Sequence, residues 1–202
     1  RPRSSAEAVR RVLAAVIFLP IFYVLVHDLG PTAFFGLVVI AGMLAVGEFY
    51  RLHLGQEPWP WWNWLGVAAT GLLLSSAQWP ALVNDRAVLL GTVILALCLP
   101  LLSGKPLRDA LTDGMVLVMG VLYIGLTLGC LLLTRGLPDG ALLIFFVVLV
   151  TWAGDTGAYV AGKVMGRRAL APVISPKKTY EGLAGGLILA CSMAFAARAW
   201  FL

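Results

Sequence analysis

The residues able to do chemistry concentrate between Thr151 and Gly186 of a 202-residue chain. Asp155 follows the apolar run Ala141 to Val150, and no basic residue appears before Lys163, so its carboxylate belongs to a segment with almost no other charge. On a helix, Thr151, Asp155 and Tyr159 fall four residues apart and form one polar stripe, while Gly154, Gly157, Ala158 and Ala161 allow a neighbouring helix to approach closely. An ionisable group inside an apolar helix is costly and usually marks an ion, proton or substrate site. A hard oxygen ligand beside small residues suits Mg²⁺ and a phosphate-bearing substrate. The competing reading is an interfacial Asp that caps a helix or pairs with Lys163.

Downstream, Ser175-Pro176 reads as a helix start, with Ser as N-cap and Pro at the first helical position. Lys177 and Lys178 then occupy the first turn. Cations there oppose the helix dipole but suit an anion held by free backbone N–H groups and two ammonium groups. Two lysines that merely set membrane orientation explain the same residues. Arg167 and Arg168 add positive charge, which anionic headgroups would also favour.

Several other chemistries are excluded. Gly157 to Lys163 spells G-x-x-x-x-G-K, but Val164 stands where a phosphate-binding loop needs Ser or Thr, and the preceding run reads as a helix rather than a strand. No G-x-S-x-G occurs, and His27 and His53 lie near no plausible nucleophile. Cys98, Cys130 and Cys191 sit in apolar stretches without metal-ligand spacing and read as small hydrophobes.

The elements that must position these residues are membrane helices. With 60% hydrophobic and 12% charged residues and a mean hydropathy of +0.92, the chain has more apolar surface than one soluble core can hide. Seven apolar runs are expected to be spans: Val12 to Val26, Thr32 to Gly47, Trp64 to Val83, Ala87 to Leu102, Met115 to Thr134, Ala141 to Gly162 and Leu183 to Leu202. The fold class is therefore all-α, a polytopic helical bundle. A tight helical hairpin is expected at His27 to Pro31. The run Pro58 to Trp64 reads as an interfacial aromatic belt.

The net charge of +5 does not point to nucleic acid, because the basic residues lie between apolar segments. Arg1, Arg3, Arg10, Arg11, Arg51, Lys105, Arg108, Lys163, Arg167, Arg168, Lys177 and Lys178 fall on one predicted side. Arg86 and Arg135 fall on the other. The positive-inside bias thus predicts a cytoplasmic N-terminus and a cytoplasmic loop over 163–182, in the cell membrane. Small-residue faces would also suit a homodimer. The chain starts at Arg1 without Met and stops at Leu202 inside an apolar run, which reads as part of a longer protein.

Gly154-Asp155-Thr156-Gly157-Ala158-Tyr159, Gly166-Arg167, Pro172, Ser175-Pro176-Lys177-Lys178-Thr179-Tyr180-Glu181-Gly182 and Gly185-Gly186 together resemble the phosphatidate cytidylyltransferase (CDP-diacylglycerol synthase) family. The basic N-terminus and the string Gly47-Glu48-Phe49-Tyr50-Arg51 are similar to its opening. The resemblance is loose over most of the chain and tight over the last fifty residues. It implies one transmembrane domain over 1–202, with N-terminal membrane helices over 1–140 and the start of a catalytic part over 141–202. It also implies transfer of a cytidylyl group from CTP to phosphatidic acid, with Mg²⁺, and a possible second cation, as cofactors.

By matching position, the resemblance assigns Asp155 to a metal or polar site and Lys177 and Lys178 to phosphate contact. Ser175 and Thr179 would hydrogen-bond phosphate or cap a helix, Glu181 would orient a lysine or a metal-bound water, and Arg167 and Tyr159 would help to bind substrate. The family's later Pro-Gly-His-Gly-Gly and Asp-Arg-x-Asp signature is absent. The resemblance implies that its carboxylates hold much of the metal site and that this stretch alone is inactive. Two rivals are a CTP-dependent polyprenol or phytol kinase and a transporter subunit in which Asp155 binds a coupling ion.

Overall fold

In lipid every backbone polar group must be satisfied within the spanning structure, which makes long apolar runs helical. The computed structural model describes residues 20–54 and 61–201, and within them the chain is helical apart from connecting turns and one two-stranded hairpin. It divides into two compact units, Arg1–Leu137 and Pro138–Leu202.

The first unit contains α1 (20–27), α2 (Gly30–Leu54), α3 (Trp61–Gln78), α4 (Asp85–Leu101), α5 (Leu107–Gly120), a π-helical segment (Val121–Leu126) and α6 (Thr127–Arg135). The expected break between α1 and α2 is present. The N–H groups of Asp28 and Leu29 both donate to the Val24 carbonyl, and Gly30 adopts φ +76°, a left-handed conformation that favours glycine. Arg135 Nε donates to the Val26 carbonyl at 3.0 Å and fastens the end of α6 to α1.

The centre of this unit is Tyr50, fully buried, whose hydroxyl donates to the Leu117 carbonyl at 2.9 Å. Its ring fills the space left by Gly66 and Gly120, where a Cβ would collide with it. Val46, Val67, Ala96, Leu117 and Ile124 complete the cluster. The hydroxyls of Thr70, Ser76 and Thr92 donate to carbonyls three or four residues back, so these polar groups are satisfied without water. Trp62 Nε1 and the Asn63 amide are buried without a hydrogen-bond partner among the described residues.

Four helical stretches are long and apolar enough to cross a membrane: Gly30–Leu54, Leu107–Arg135, Gly140–Met165 and Tyr180–Trp200. Of the seven expected spans, the first lies largely outside the described residues and the other six coincide with helices. Of these six, α3 and α4, at 18 and 17 residues, are not among the four. Pro58, Trp59 and Pro60 of the expected aromatic belt lie outside the described residues. Trp61 and Trp64 are exposed at the start of α3.

The second unit is α7 (Gly140–Met165), β1 (Ala169–Ala171), β2 (Ser175–Thr179) and α8 (Tyr180–Phe201). The two helices run antiparallel in close contact. Gly157 faces the Gly185 carbonyl and Leu189, Gly154 faces Ala190 and Gly186, and Gly162 faces Thr179 and Gly182. The small residues expected to admit a neighbour are therefore occupied by α8. The strands pair antiparallel, with Ala169 opposite Thr179 and Ala171 opposite Ser175, and the register shifts between the two pairs.

This hairpin corrects the expected helix start at Ser175. Ser175, Pro176, Lys177 and Lys178 lie in β2, and α8 begins at Tyr180. A proline lacking an N–H is accommodated on an edge strand as readily as at a helix start, and the sequence offers a better cap four residues later. Thr179 Oγ1 accepts the Gly182 N–H at 3.1 Å, and the Tyr180 N–H donates to the Arg168 carbonyl at 3.1 Å.

Candidate functional site

Asp155 is the sixteenth residue of α7, about 15 Å along the axis from the helix end at Met165. Gly140–Met165 is long and apolar enough to cross a hydrocarbon core about 30 Å thick, and Asp155 stands in the interior of that helix. Ala153, Gly157 and Ala161 are buried, whereas Thr151, Asp155 and Tyr159 are exposed on another face. The polar stripe is therefore separated from the α8 contact. Asp155 forms no hydrogen bond or ion pair among the described residues, and the expected alternative of a Lys163 pair is not formed. Lys163 Nζ instead sits 5.7 Å from the centroid of the Tyr159 ring. A carboxylate facing hydrocarbon is costly unless it is paired.

The hairpin closes the end of the α7–α8 pair. Its base is held by Glu181, whose Oε2 accepts the backbone N–H groups of Arg167 at 3.1 Å and Arg168 at 3.3 Å. Glu181 therefore fastens the base of the loop. Thr179 is half-buried and acts as the α8 cap, and Ser175 is a half-buried strand residue opposite Ala171.

These bonds also change the expected anion chemistry. The Tyr180 and Gly182 N–H groups of the first turn are already taken, so the helix N-terminus is not the cradle that the Ser-Pro start implied. An anion here would be met by side chains. Lys177 and Lys178 are exposed, and their side chains form no hydrogen bond or ion pair among the described residues.

The structure assembles two clusters from the predicted residues. Arg167, Thr179 and Glu181, with Arg168, form the fastened hairpin base; Asp155 and Tyr159 share the exposed face of α7. Asp155 is not bonded to Lys177 or Lys178. Among the described residues no group of three or more His, Cys, Asp or Glu is placed to hold a metal ion. The G-x-x-x-x-G-K string lies wholly within α7, in agreement with its rejection as a phosphate loop. The Glu181 contact was missed because a backbone N–H carries no sequence mark. The signal that could have found the cap was Thr179 three residues before Gly182, with an acid inside the first turn where the dipole favours it.

In the first unit a half-open groove of about 230 Å³ is walled by Trp62, Leu65, Gly91, Leu95 and Leu117, with Thr92 as a minor polar element. Its lining offers no charge for phosphate.

Comparison with known proteins places these features. A family model described as "Cytidylyltransferase family" matches residues 9–202. A phosphatidate cytidylyltransferase of Staphylococcus haemolyticus is 31% identical over 184 residues, covering 90% of this chain and 66% of the relative. That of Bacillus subtilis is 32% identical over 189 residues, covering 91% and 67%. That of Staphylococcus saprophyticus is 37% identical over 131 residues, covering 64% and 47%. The chain thus spans about two thirds of the length of the first two relatives and about half of the third. The match from residue 9 to residue 202, reaching through the fastened hairpin and the stripe of α7, shows that the chain belongs to the cytidylyltransferase family.

Proposed function

We propose that the protein transfers a cytidylyl group from CTP to phosphatidic acid, giving CDP-diacylglycerol and pyrophosphate. The observation that carries this reading is a basic hairpin with unpaired lysines at the end of a helix pair, one helix of which holds an unpartnered intramembrane carboxylate, in a chain related to phosphatidate cytidylyltransferases. In the reaction a phosphate oxygen of phosphatidic acid attacks the α-phosphorus of CTP, a new P–O bond forms, and the bond to the pyrophosphate oxygen breaks. The nucleophile is already an anion, so no protein base is required. What the protein must supply is positioning and neutralisation of charge.

Lys177 and Lys178 neutralise phosphate charge, Arg167 adds to the positive field, and Ser175 sits beside them on the same strand. Glu181 and Thr179 act by holding the hairpin base. Asp155 fits as one oxygen ligand of Mg²⁺, an ion commonly held by one or two carboxylates together with substrate phosphates. When bound, such an ion neutralises charge on the phosphates. Tyr159, next on the same face, lies beside that position.

The basic residues of the loop support a cytoplasmic hairpin, where CTP and a membrane lipid can meet at the inner interface of the cell membrane. A transporter or a lipid kinase would leave the relationship to phosphatidate cytidylyltransferases without a role. The test is formation of CDP-diacylglycerol from radiolabelled CTP and phosphatidic acid with Mg²⁺, in membranes containing the full-length protein. Loss of product in both Asp155→Asn and Lys178→Ala, at unchanged protein level, is expected. Absence of product from the well-folded unaltered protein, or phosphate transfer to a polyprenol in its place, overturns the proposal.

A further inference from the structure

The tip of the hairpin presents Val173 and Ile174 at 96% and 90% exposure, the two most exposed large apolar residues among those described. A loop ordinarily turns such residues inward or uses small polar ones, so two adjacent β-branched hydrophobes at a turn need a partner. The flanks are basic: Arg167 and Arg168 precede the tip, and Lys177 and Lys178 follow it, all four exposed. An apolar tip bracketed by cations is the composition that an anionic lipid interface rewards, with hydrocarbon receiving the side chains and headgroups receiving the charges.

The location agrees. The antiparallel α7 and α8 are each long and apolar enough to cross the bilayer, and the hairpin joins the ends that meet at Met165 and Tyr180. It therefore emerges at the headgroup level. Its base is fixed there by the bonds of Glu181 to Arg167 and Arg168, and β2 is long enough to reach along the surface, about 17 Å for five residues.

We infer that the hairpin is a membrane-surface anchor, whose Val173–Ile174 tip inserts into an anionic leaflet while Arg167, Arg168, Lys177 and Lys178 hold the headgroups around it. The inference rests on the reading of α7 and α8 as membrane spans and not on the cytidylyl transfer. If it holds, the strand carrying Lys177 and Lys178 is kept at the depth where a phosphate-bearing lipid presents its headgroup.

The test places an environment-sensitive fluorophore at the tip, through Ile174→Cys in the full-length protein with Cys98, Cys130 and Cys191 changed to Ser. The protein is reconstituted in phosphatidylcholine vesicles with and without phosphatidylglycerol. The expected result is a blue-shifted emission quenched by lipids carrying a shallow spin label and protected from aqueous iodide, enhanced by phosphatidylglycerol. Lys177→Ala and Lys178→Ala should each lower the ratio of inserted to free tip by about five-fold in the anionic vesicles. A tip quenched by iodide in both vesicles overturns the proposal. So does a blue-shifted tip that no spin-labelled lipid reaches, since protein would then cover it. Because the readout is depth, a protein without cytidylyltransferase activity can still pass or fail it.

Discussion

The two units of this chain differ in which polar groups they bond internally. In the first, Tyr50, Thr70, Ser76 and Thr92 spend their hydroxyls on nearby carbonyls, and Lys105 Nζ donates to Asp113 Oδ2 at 2.6 Å. In the second, Asp155 and the two hairpin lysines have no hydrogen-bond or ion-pair partner among the described residues, while Thr179 and Glu181 hold the backbone. A polar group bonded internally stabilises a fold and is unavailable for anything else. Under the proposed function, Asp155 and the two lysines of the second unit are the groups left to meet a charged substrate.

That contrast predicts where activity and stability separate. The largest effect is expected for Asp155→Asn, which should lower CDP-diacylglycerol formation by about 100-fold or more, a barrier increase of ~2.7 kcal/mol. Its thermal unfolding in detergent should be unchanged, because Asp155 forms no hydrogen bond or ion pair among the described residues. A large loss of thermal stability in this variant would break the comparison.

Next is Gly185→Val. A Cβ there already meets the Cβ of Ala161 and lies 3.0 Å from the Gly157 carbonyl. Forcing α7 and α8 apart should destabilise the second unit by about 3 kcal/mol, measured by thermal unfolding.

Lys105→Ala comes third. It strands Asp113, which is buried on α5, and should lower stability by about 2 kcal/mol. Turnover per folded molecule should stay at the unaltered level, and a selective loss of turnover would assign the first unit a part in the chemistry.

The smallest effect is Thr179→Ala, which removes the α8 cap at a cost of about 1 kcal/mol. Thr179→Ser, which keeps the oxygen that accepts the Gly182 N–H, should restore most of it in the same unfolding assay.

The sequence carried the helices well, because apolar runs in lipid have few alternatives. The α1–α2 break was legible for the same kind of reason: Gly30 and Pro31 restrict the local backbone whatever surrounds them. The hairpin was not legible. Ser175-Pro176 satisfies the chemistry of a helix start and of an edge strand equally, and the decision falls to contacts with Ala169, Ala171 and Arg168, which no local pattern encodes. Asp155 stood out because a charge in an apolar run is conspicuous. The depth of its side chain and its separation from the α8 contact required the helix boundaries. Glu181 was noticed as an acid near lysines, but its bonds to the backbone N–H groups of Arg167 and Arg168 carry no mark in the sequence.

The unbroken stretch Leu107–Arg135 has 29 residues and, at helical rise, is about 43 Å long against a hydrocarbon core of about 30 Å. Its last residue is tethered to α1 by the bond of Arg135 to the Val26 carbonyl. A helix that exceeds the bilayer must tilt or thicken the lipid around it, and the fastened Arg135 end restricts how freely it can do either. Bilayer thickness thereby becomes a mechanical input to this protein, and lipids with longer or shorter acyl chains would load the same helix differently.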